Sequence, residues 1–367
     1  MSEKNQNEPG GSPRTLHDGR DDGFTPLKPL DPAETESCDA LLEAMASTAF
    51  AGRGLGEAAS IVHDMTVDED CRVVLTVSGA MTVAKMGLVM VRMIERGMVD
   101  AIVSTGALMA HGLTEAIGAV HYRRPEGVSD EELFAKGYNR VYDTLEMESN
   151  LNDVERVVHA ALESLPKGET FSSEQLCRAI GKVLSERDEG PGVLRAAYEH
   201  DVPVYVPAFT DSEIGLDVAT WAVRAGPEAG DGDELDPFAR TPAFNPFGDL
   251  VSFCQWARAA PRLGIFTIGG GVPRNWSQQV GPYVDLLNHR LGLSLGSPRY
   301  RYAVRICPEP VHWGGLSGCT YSEGVSWGKF VPPAEGGRFA EVHADATLAW
   351  PLLVRGVIER LDRHDTD

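Results

Sequence analysis

RVVLTV at residues 72–77 is a continuous run of mostly β-branched and aliphatic residues, typical of a strand buried on both faces. A segment rich in Met, Val and Leu follows at residues 81–96 and is closed by Gly97, which predicts a helix. VDAIVST at residues 99–105 then predicts a second strand. Two buried strands joined by a helix form a βαβ crossover, which indicates a parallel sheet with helices on both faces.

The same alternation continues along the chain. Ser172 and Gln175 are spaced as a capping box and predict a helix to about Arg187. Further strands are predicted at 202–206, 263–268, 302–306 and 340–343, and a last helix at 347–361 with Pro351 in its first turn. The predicted fold class is therefore α/β, a Rossmann-like, mostly parallel, doubly wound sheet with helices on both faces.

Two segments have few large apolar side chains and cannot offset their ordering entropy by burial. Residues 1–36 are rich in Gly, Pro and charged residues, and we predict a mobile N-terminal arm. Residues 225–249 include GPEAGDGDE at 226–234, and we predict a long surface loop. Residues 37–367 are then expected to form a single domain.

Charge and targeting signals restrict the function classes. The net charge of −21 and the lack of a Lys/Arg cluster disfavour nucleic-acid binding and suit a cationic partner better, although surface acidity is often only a solubility device. The sequence has no long apolar run and its first residues lack an apolar core, so we expect a cytoplasmic protein with no membrane contact.

Cysteine and histidine spacing argues against metal chemistry. The six cysteines lie far apart without a CxxC pair, which suggests buried free thiols. His111, His121, His312 and His343 are scattered and show no metal-ligand spacing, so no metal site is expected. The absence of a GxSxG motif also disfavours a serine hydrolase.

Polar or glycine-rich stretches follow the predicted strands, where α/β sheets bind ligands. They are SGAMT at 78–82, STGA at 104–107, TDSE at 210–213, GGG at 269–271 and ADA at 344–346. The three glycines permit close approach of a pyrophosphate or sugar, but without a GxGxxG fingerprint a tight turn explains them equally well. Asp211 and Asp345 could bind ribose hydroxyls or could cap the helices that follow.

The segment from GGLSG at 314–318 to Trp327 and Lys329 is the most unusual part of the chain. A lysine held against an indole would lose hydration, which favours the neutral amine that forms Schiff bases. Most lysines, however, are solvated surface charges.

EGVSWGK at 323–329, followed by VHADATL at 342–348 and PLL at 351–353, resembles the C-terminal half of deoxyhypusine synthase. The similarity extends back through 269–272, 207–211 and 98–105 and covers roughly residues 65–361. The resemblance implies NAD-dependent transfer of an aminobutyl group from spermidine, through an enzyme–lysine imine, to an amine acceptor. It also implies a homotetramer with active sites at subunit interfaces, where the N-terminal segment can cover a neighbour's site.

The resemblance assigns roles to particular residues. Lys329 matches the catalytic lysine, while Trp327 and Glu323 match residues that line the polyamine site. The positions that match the family's NAD site are Ser78, Thr82, Thr105, Asp211, Gly270, Gly271, Gly314, Ser317, Ala344 and Asp345.

Departures from the family pattern concern the substrate end of the site. Asn275 stands where the family has its active-site histidine, and His312 is a candidate replacement for proton transfer. Trp313 and Leu316 replace two acidic residues. A third acid, aligned with Leu216, is missing, with Glu213 and Asp217 nearby. Because each buried cation needs a paired acid, these losses predict a changed donor or acceptor.

Three functions are compatible with these residues. The leading hypothesis is a bacterial deoxyhypusine-synthase-like enzyme that transfers an aminobutyl group to a small amine such as putrescine or agmatine, with bound NAD as a hydride store. The alternative is true deoxyhypusine synthase, which modifies a lysine of an eIF5A-like protein. A third possibility is a catalytically weakened NAD- or polyamine-binding protein.

Overall fold

The central sheet consists of six parallel strands in the order β6-β2-β1-β7-β8-β9. The structure is a computed structural model that describes residues 16–224, 236, 238 and 240–364. The strands of this sheet are β1 (Cys71–Val77), β2 (Ala101–Ser104), β6 (Val204–Tyr205), β7 (Arg262–Ile268), β8 (Tyr300–Ile306) and β9 (Arg338–Val342). Each predicted strand is therefore present, and the predicted parallel α/β architecture is confirmed.

Helices cover both faces of the sheet because β1 is apolar on both. Val73, Leu75 and Val77 belong to the larger core cluster, whereas Val74 belongs to the second. The helices are α1 (Cys38–Ala46), α2 (Phe50–Val67), α3 (Gly87–Glu95), α4 (Gly106–Ala116), α5 (Asp130–Ala135), α6 (Glu148–Ser164), α7 (Ser173–Arg187), α8 (Val193–Glu199), α9 (Glu213–Arg224), α10 (Pro246–Arg258), α11 (Val272–Gln278), α12 (Val280–Leu291), α13 (Tyr321–Val325) and α14 (Ala346–His364).

The direction of strand addition reverses at the centre of the sheet. From β1 the chain adds β2 and then β6 on one side, and it returns to place β7 on the other side of β1. The β1 and β7 strands pair in parallel from Cys71 with Arg262 to Val77 with Ile268. A crevice at such a switch point, beyond the carboxyl ends of the strands, is where α/β sheets bind ligands.

Two predicted boundaries are wrong. The helix predicted at 81–96 begins only at Gly87, because residues 81–86 form a turn in which Lys85 has a φ of 66°. The loop predicted at 225–249 ends earlier, because Asn245 caps α10 at Pro246. Asp249 is buried and accepts hydrogen bonds from the backbone N–H groups of Ser173 and Glu174. Residues 225–235, 237 and 239 of this predicted loop lie outside the described residues.

A small antiparallel sheet was not predicted. It contains β3 (Tyr122–Arg123), β4 (Tyr138–Val141) and β5 (Thr144–Met147), in the order β3-β5-β4. These strands are short, and most of their side chains are exposed or half-buried, so no apolar run marks them. The sheet nevertheless carries Glu146 into the interior.

One local prediction is confirmed in full, because the capping box of Ser172 and Gln175 starts α7. The last helix is also present, but it begins at Ala346, so Pro351 lies inside α14, in its second turn, and not in the first turn as predicted. Residues 16–36 contain one short 3-10 helix, and residues 1–15 of the predicted arm lie outside the described residues. The six cysteines are free thiols, three of them buried. No helix in the described ranges is both long and apolar enough to cross a membrane.

Candidate active site

The glycine run after β7 forms a narrow cradle at the switch point. Gly269 and Gly271 have φ values of 78° and 69°, a region that favours glycine. The N–H of Gly270 donates to Oγ of Ser78 after β1 at 2.9 Å. A β-carbon at Gly270 would lie 2.5 Å from Cα of Ser317, so only glycine fits between these segments. The cradle exposes backbone to a ligand at close range, and it fits the phosphate-bearing part of a dinucleotide.

The other residues predicted to bind NAD follow the carboxyl ends of the same parallel strands. Thr105 caps α4 through its hydroxyl, and Asp211 is exposed just before α9. Asp345 accepts the N–H of Thr347 at 2.8 Å, so it does cap the last helix, although it stays exposed. Thr82 is buried and its hydroxyl donates to the carbonyl of Leu108 at 2.7 Å, so its side chain is not presented at the crevice.

Gly314, Ser317 and Ala344 complete this edge. Gly314 has a φ of 76° and ends a short 3-10 helix, while Ser317 lies in the next one. Ala344 follows β9 directly, and Ser317 is in contact with the glycine run. The residues after β8 and β9 therefore lie on the same side of the sheet as Ser78 and Gly270.

Lys329 lies in a cavity of about 850 Å³ between α11, α12 and α13. Trp327, Glu323 and Asn275, which the sequence assigns to the substrate site, line the same cavity. His312 lies in an exposed 3-10 helix and is missing from the described lining residues, so the structure does not bring it to Lys329. Four members of the predicted site thus meet and one does not.

The backbone around Lys329 is fixed by its neighbours. Its N–H donates to the carbonyl of Gly324 at 3.1 Å, and its carbonyl accepts the N–H of Tyr300 at 3.0 Å. Gly328 has a φ of 70°, and a β-carbon at Gly324 would lie 2.6 Å from the ring of Phe330. The glycines of the motif therefore permit the tight turn that directs Lys329 into the cavity.

The lysine sits in surroundings that favour the neutral amine. Burial lowers the pKa of Lys329, and Arg274 acts in the same direction, while Cys319 and Glu323 oppose both. The ammonium nitrogen lies 3.2 Å from Oδ1 of Asn275 and 6.0 Å from the ring centroid of Trp327. A lowered pKa increases the fraction of lysine that can act as a nucleophile at neutral pH.

Two buried arginines hold the loop between β8 and α13, and the sequence analysis missed both. Arg274 donates to the carbonyls of Leu316 and Cys319 at 3.0 and 2.6 Å. Arg305 donates to the carbonyl of Cys319 at 2.8 Å and pairs with Glu341 at 2.7 Å. The two guanidinium groups donate charge-assisted hydrogen bonds to backbone carbonyls of the loop. The loop is therefore held in place even though position 316 carries Leu316 and not an acidic side chain.

Asp285 and His289 of α12 also line the cavity, and neither was predicted. A β-carbon at Gly328 would lie 3.3 Å from Oδ2 of Asp285, so this carboxylate faces the lysine turn. The cavity therefore holds carboxylates on two sides, Asp285 on α12 and Glu323 on α13.

A second polar cluster contradicts the expectation that the histidines are scattered. His111 and His121 meet at the buried carboxylate of Glu146, with ligand-type atoms within 4.8 Å of one another. Burial alone would raise the pKa of Glu146, but hydrogen bonds from His111, His121 and Thr114 lower it to about 2. Burial alone would lower the pKa of His111, but Glu146 and Glu213 raise it overall.

The fold and the cavity together define a class: an α/β enzyme with a ligand crevice at its switch point and a lysine suited to covalent amine chemistry. The family model described as deoxyhypusine synthase matches residues 40–357. The chain belongs to the deoxyhypusine synthase family, which consists of NAD-dependent aminobutyl transferases.

Relatives support this assignment over most of their length. The chain is 33% identical over 342 residues to "Probable deoxyhypusine synthase 2" of Methanosarcina acetivorans, covering 93% of this chain and 91% of the relative. It is 32% identical over 317 residues to "Deoxyhypusine synthase-like protein" of Chlorobaculum parvum, covering 85% and 84% of the two chains.

A solved structure supports the fold. A crystal structure from Entamoeba histolytica, provisionally named deoxyhypusine synthase, covers 91% of this chain and 97% of its own, with a TM-score of 0.56 and 16% identity. Membership of the family implies aminobutyl transfer from spermidine and leaves the acceptor undetermined.

Proposed function

We propose that this enzyme transfers an aminobutyl group from spermidine or a related amine to a small amine acceptor, with Lys329 as the nucleophile and NAD as the hydride carrier. The observation that carries the proposal is the position of Lys329. Its pKa is lowered by burial, and it faces a cavity with carboxylates on two sides. A neutral amine between carboxylates suits a substrate that carries two ammonium groups.

The wall of the cavity matches the chemistry of an aliphatic polyamine. Trp327 is 65% exposed and presents its indole to the cavity, where it can pack on methylene groups and face a cation. Glu323 can pair with an ammonium group at one end of the cavity. Asp285 offers a second carboxylate across the lysine turn.

The residues that differ from the family favour a small acceptor. Asn275 is neutral and Leu316 is apolar, so the cavity has fewer charges than the family pattern. Asp285 on α12 provides a carboxylate where a short diamine could place its second ammonium group. We therefore infer a small amine with a second cationic group, such as putrescine or agmatine, as the acceptor.

The switch-point crevice is the proposed NAD site. NAD supplies an acceptor for the hydride removed from the donor amine and returns that hydride at the end of the cycle. Ser78, Gly270 and Gly271 would approach the pyrophosphate, and Asp211 or Asp345 would accept ribose hydroxyls. The remaining proposed contacts are Thr82, Thr105, Gly314, Ser317 and Ala344, of which Thr82 would act through the backbone of the turn at residues 81–86.

Lys329 would act on the oxidised donor. Its neutral Nζ attacks the carbon of the donor C=N bond, and the former amine nitrogen takes up a proton and leaves. The result is an imine between Lys329 and the aminobutyl group. The acceptor amine then attacks the same carbon and releases Lys329, and reduction of the new C=N bond, for which reduced NAD would supply the hydride, gives a secondary amine.

The test is to trap the lysine imine. Purified enzyme is incubated with NAD and spermidine, with or without putrescine, and reduced with borohydride before peptide mass spectrometry. We expect an aminobutyl adduct on Lys329 and a new polyamine product. Lys329→Arg should lose both, whereas Lys182→Arg, on the exposed face of α7, should keep both. Wild-type enzyme that forms neither adduct nor product with any amine would contradict the proposal and favour a binding protein.

A second candidate acceptor is the lysine of an eIF5A-like protein, which the names of the relatives favour. The same trapped imine should form, so the acceptor decides between the two. We expect Asp285→Asn to raise KM for a diamine about tenfold or more and to reduce adduct formation with spermidine by a smaller factor. Efficient transfer to the protein lysine, with none to diamines, would establish the second candidate.

By family analogy we propose a homotetramer, which light scattering would measure.

A further inference from the structure

The cluster around Glu146 is a buried chain of polar side chains that Lys329 does not use. Glu146 on β5 and His121, which follows α4, each have side chains only 1% exposed. Nδ1 of His111 contacts one carboxylate oxygen of Glu146, and the hydroxyl of Thr114 contacts the other. Nε2 of His121 is 3.5 Å from that second oxygen.

The position of Lys85 determines which ring nitrogens of the two histidines carry a proton. Nζ of Lys85 lies 2.8 Å from Nδ1 of His121 and 2.7 Å from Glu115. An ammonium group donates and cannot accept, so Nδ1 of His121 accepts and Nε2 carries the proton toward Glu146. Nδ1 of His111 likewise carries the proton that it donates to Glu146. Nε2 of His111 is therefore the nitrogen left free to gain or lose a proton.

Glu146 is held by hydrogen bonds from His111 and Thr114, while Nε2 of His121 faces it at 3.5 Å without a hydrogen bond, and the histidine tautomers do not suit a metal centre. A metal ion at this cluster would need the lone pair of Nε2 of His121. Its Nδ1 would then carry the proton and meet the ammonium group of Lys85, which offers no acceptor. Ligating histidines instead donate their second N–H to a carboxylate or carbonyl. A buried carboxylate that orients a histidine is the geometry that fixes the tautomer of a general base.

The free nitrogen of His111 faces a carboxylate that needs a cationic partner. Nε2 of His111 lies 3.9 Å from Oε1 of Glu213. The other oxygen of Glu213, Oε2, is buried and has no hydrogen-bond partner among the described residues. A buried carboxylate oxygen without a donor is costly, and an ammonium group placed there would satisfy it.

This pair lies at the same edge of the sheet as the switch-point crevice. Glu213 starts α9 after β6, and His111 is on α4 after β2. The two elements are in close contact, because a β-carbon at Gly106 would lie 2.2 Å from Oγ of Ser212. The strand β2 is the neighbour of β1, which borders the crevice.

We propose that His111, oriented by Glu146, is the general base that deprotonates the donor amine, and that Glu213 holds the ammonium group for this step. The proposal rests on the proposed function, and it names the residue that accepts the proton of the donor amine. A carbon next to a protonated nitrogen cannot release hydride, because the ammonium nitrogen has no lone pair. Transfer of the N–H proton to Nε2 of His111 frees that lone pair. That lone pair can then form a C=N bond as the C–H bond next to nitrogen breaks, and oxidised NAD bound in the crevice would supply the acceptor for the hydride.

The first experiment measures hydride removal separately from aminobutyl transfer. Lys329→Arg enzyme is mixed with NAD and spermidine, and the formation of reduced nicotinamide is followed over pH. We expect this step to persist in Lys329→Arg and to fall about 100-fold or more when His111→Gln is added. His200→Gln, an exposed histidine at the end of α8, is the matched control and should change nothing.

The pH profile distinguishes a proton acceptor from a structural residue. The groups facing His111 are Glu146 from β5 and Glu213 from α9, and those facing His121 are Lys85 and Glu146. With His111 present, the rate should fall as the pH decreases through its raised pKa. His111→Gln should lose the plateau of the rate above that pKa and should instead gain activity steadily with rising pH, while Glu146→Gln should move the midpoint of the fall to lower pH. An unchanged profile in His111→Gln would overturn the proposal.

A second measurement needs no turnover. The imidazole signals of His111 are followed by NMR as spermidine is added to enzyme without NAD, and calorimetry measures the affinity. We expect the His111 signals to shift and Glu213→Gln to weaken binding about tenfold or more. Unchanged signals and affinity would overturn the role of this pair even if trapping at Lys329 succeeds. A zinc site would also overturn the proposal. The contrary result is stoichiometric zinc in the wild-type enzyme that is absent from His121→Ala, with wild-type activity lost on zinc removal and restored when zinc is added back.

Discussion

Nζ of Lys329 lies 3.2 Å from Oδ1 of Asn275, so the proposed nucleophile is held by a neutral amide. A neutral acceptor orients the amine without adding a negative charge that would stabilise its protonated form. Burial can therefore dominate and lower the pKa of Lys329.

Replacing Asn275 by Asp should reverse this balance. A carboxylate at the same distance favours the ammonium form and raises the pKa of Lys329. Below that pKa, each unit of increase reduces the neutral fraction about tenfold. We expect adduct formation at neutral pH to fall about tenfold or more and to recover as the pH rises, measured by borohydride trapping over pH.

Gln279→Glu is the matched control, because Gln279 lines the same cavity and gains the same charge. It should have a much smaller effect, since no contact with Lys329 is present at Gln279. An equal loss in both variants would attribute the effect to net charge rather than to the hydrogen bond.

Gly270→Ala should close the proposed NAD site. The added methyl group would lie 2.5 Å from Cα of Ser317, so a backbone segment must move. We expect NAD affinity to fall about tenfold or more, corresponding to ~1.4 kcal/mol or more, as measured by calorimetry.

Gly296→Ala is a suitable control, because a β-carbon there meets nothing within 4 Å. It should retain NAD affinity and melting temperature. Normal NAD binding by Gly270→Ala, with an unchanged melting temperature, would move the NAD site away from the glycine run.

Glu146→Gln should destabilise the protein in a pH-dependent way. The pKa of Glu146 is lowered from 4.5 to about 2, so its ionised form stabilises the fold above pH 4.5. That stabilisation is lost as the pH falls through the folded pKa. We expect the variant to lose on the order of 2 kcal/mol of unfolding free energy at pH 6 and little near pH 2.

Denaturant unfolding at several pH values measures this difference. Glu163→Gln, an exposed residue of α6, should change the unfolding free energy by less than about 0.5 kcal/mol at each pH. A constant difference between wild type and Glu146→Gln at all pH values would indicate lost packing instead of lost charge.

Asp217→Asn should stabilise the protein at alkaline pH. Burial, with Glu155 and Glu213 nearby, raises the pKa of Asp217 from 3.8 to about 7. The unfolded chain ionises first, so wild-type stability falls as the pH rises from about 4 to about 7. We expect the variant to match wild type at pH 4 and to exceed it by on the order of 1 kcal/mol at pH 8.

Thermal melts at the two pH values test this prediction, with exposed Asp21→Asn as the control. An equal gain at pH 4 and pH 8 would mean that the charge of Asp217 does not cause it. Spermidine should reduce the gain at pH 8 if it binds beside Glu213, because an added cation favours ionised Asp217.

The sheet could be predicted because its signals are local. Apolar β-branched runs identify the strands within a few residues, as for the run at 72–77, observed as β1 (Cys71–Val77). The start of α3 could not be predicted, because it depends on tertiary contacts. Lys85 adopts a positive φ in a turn where its side chain meets Glu115 and His121, and no local pattern encodes that turn.

The residues of the candidate site also differ in whether the sequence alone could predict them. The motif around Lys329 predicts Trp327 and Glu323 because all three lie within seven residues of sequence. Asp285 belongs to another helix, and only the fold brings it to the cavity. His111 and Glu146 are separated by 35 positions, and the small sheet that carries Glu146 has no apolar run to reveal it.

The reversal of strand order at β1 and β7 divides the chain into two regions, to which we assign different proposed roles. The region before β7 contains His111, Glu146 and Glu213. The region after β7 contains Asn275, Asp285 and Lys329. Mutations that alter the choice of acceptor can therefore accumulate in one region while the residues around His111 stay intact. In evolutionary terms, the proposed roles would let a lineage change its product without first giving up oxidation of the donor.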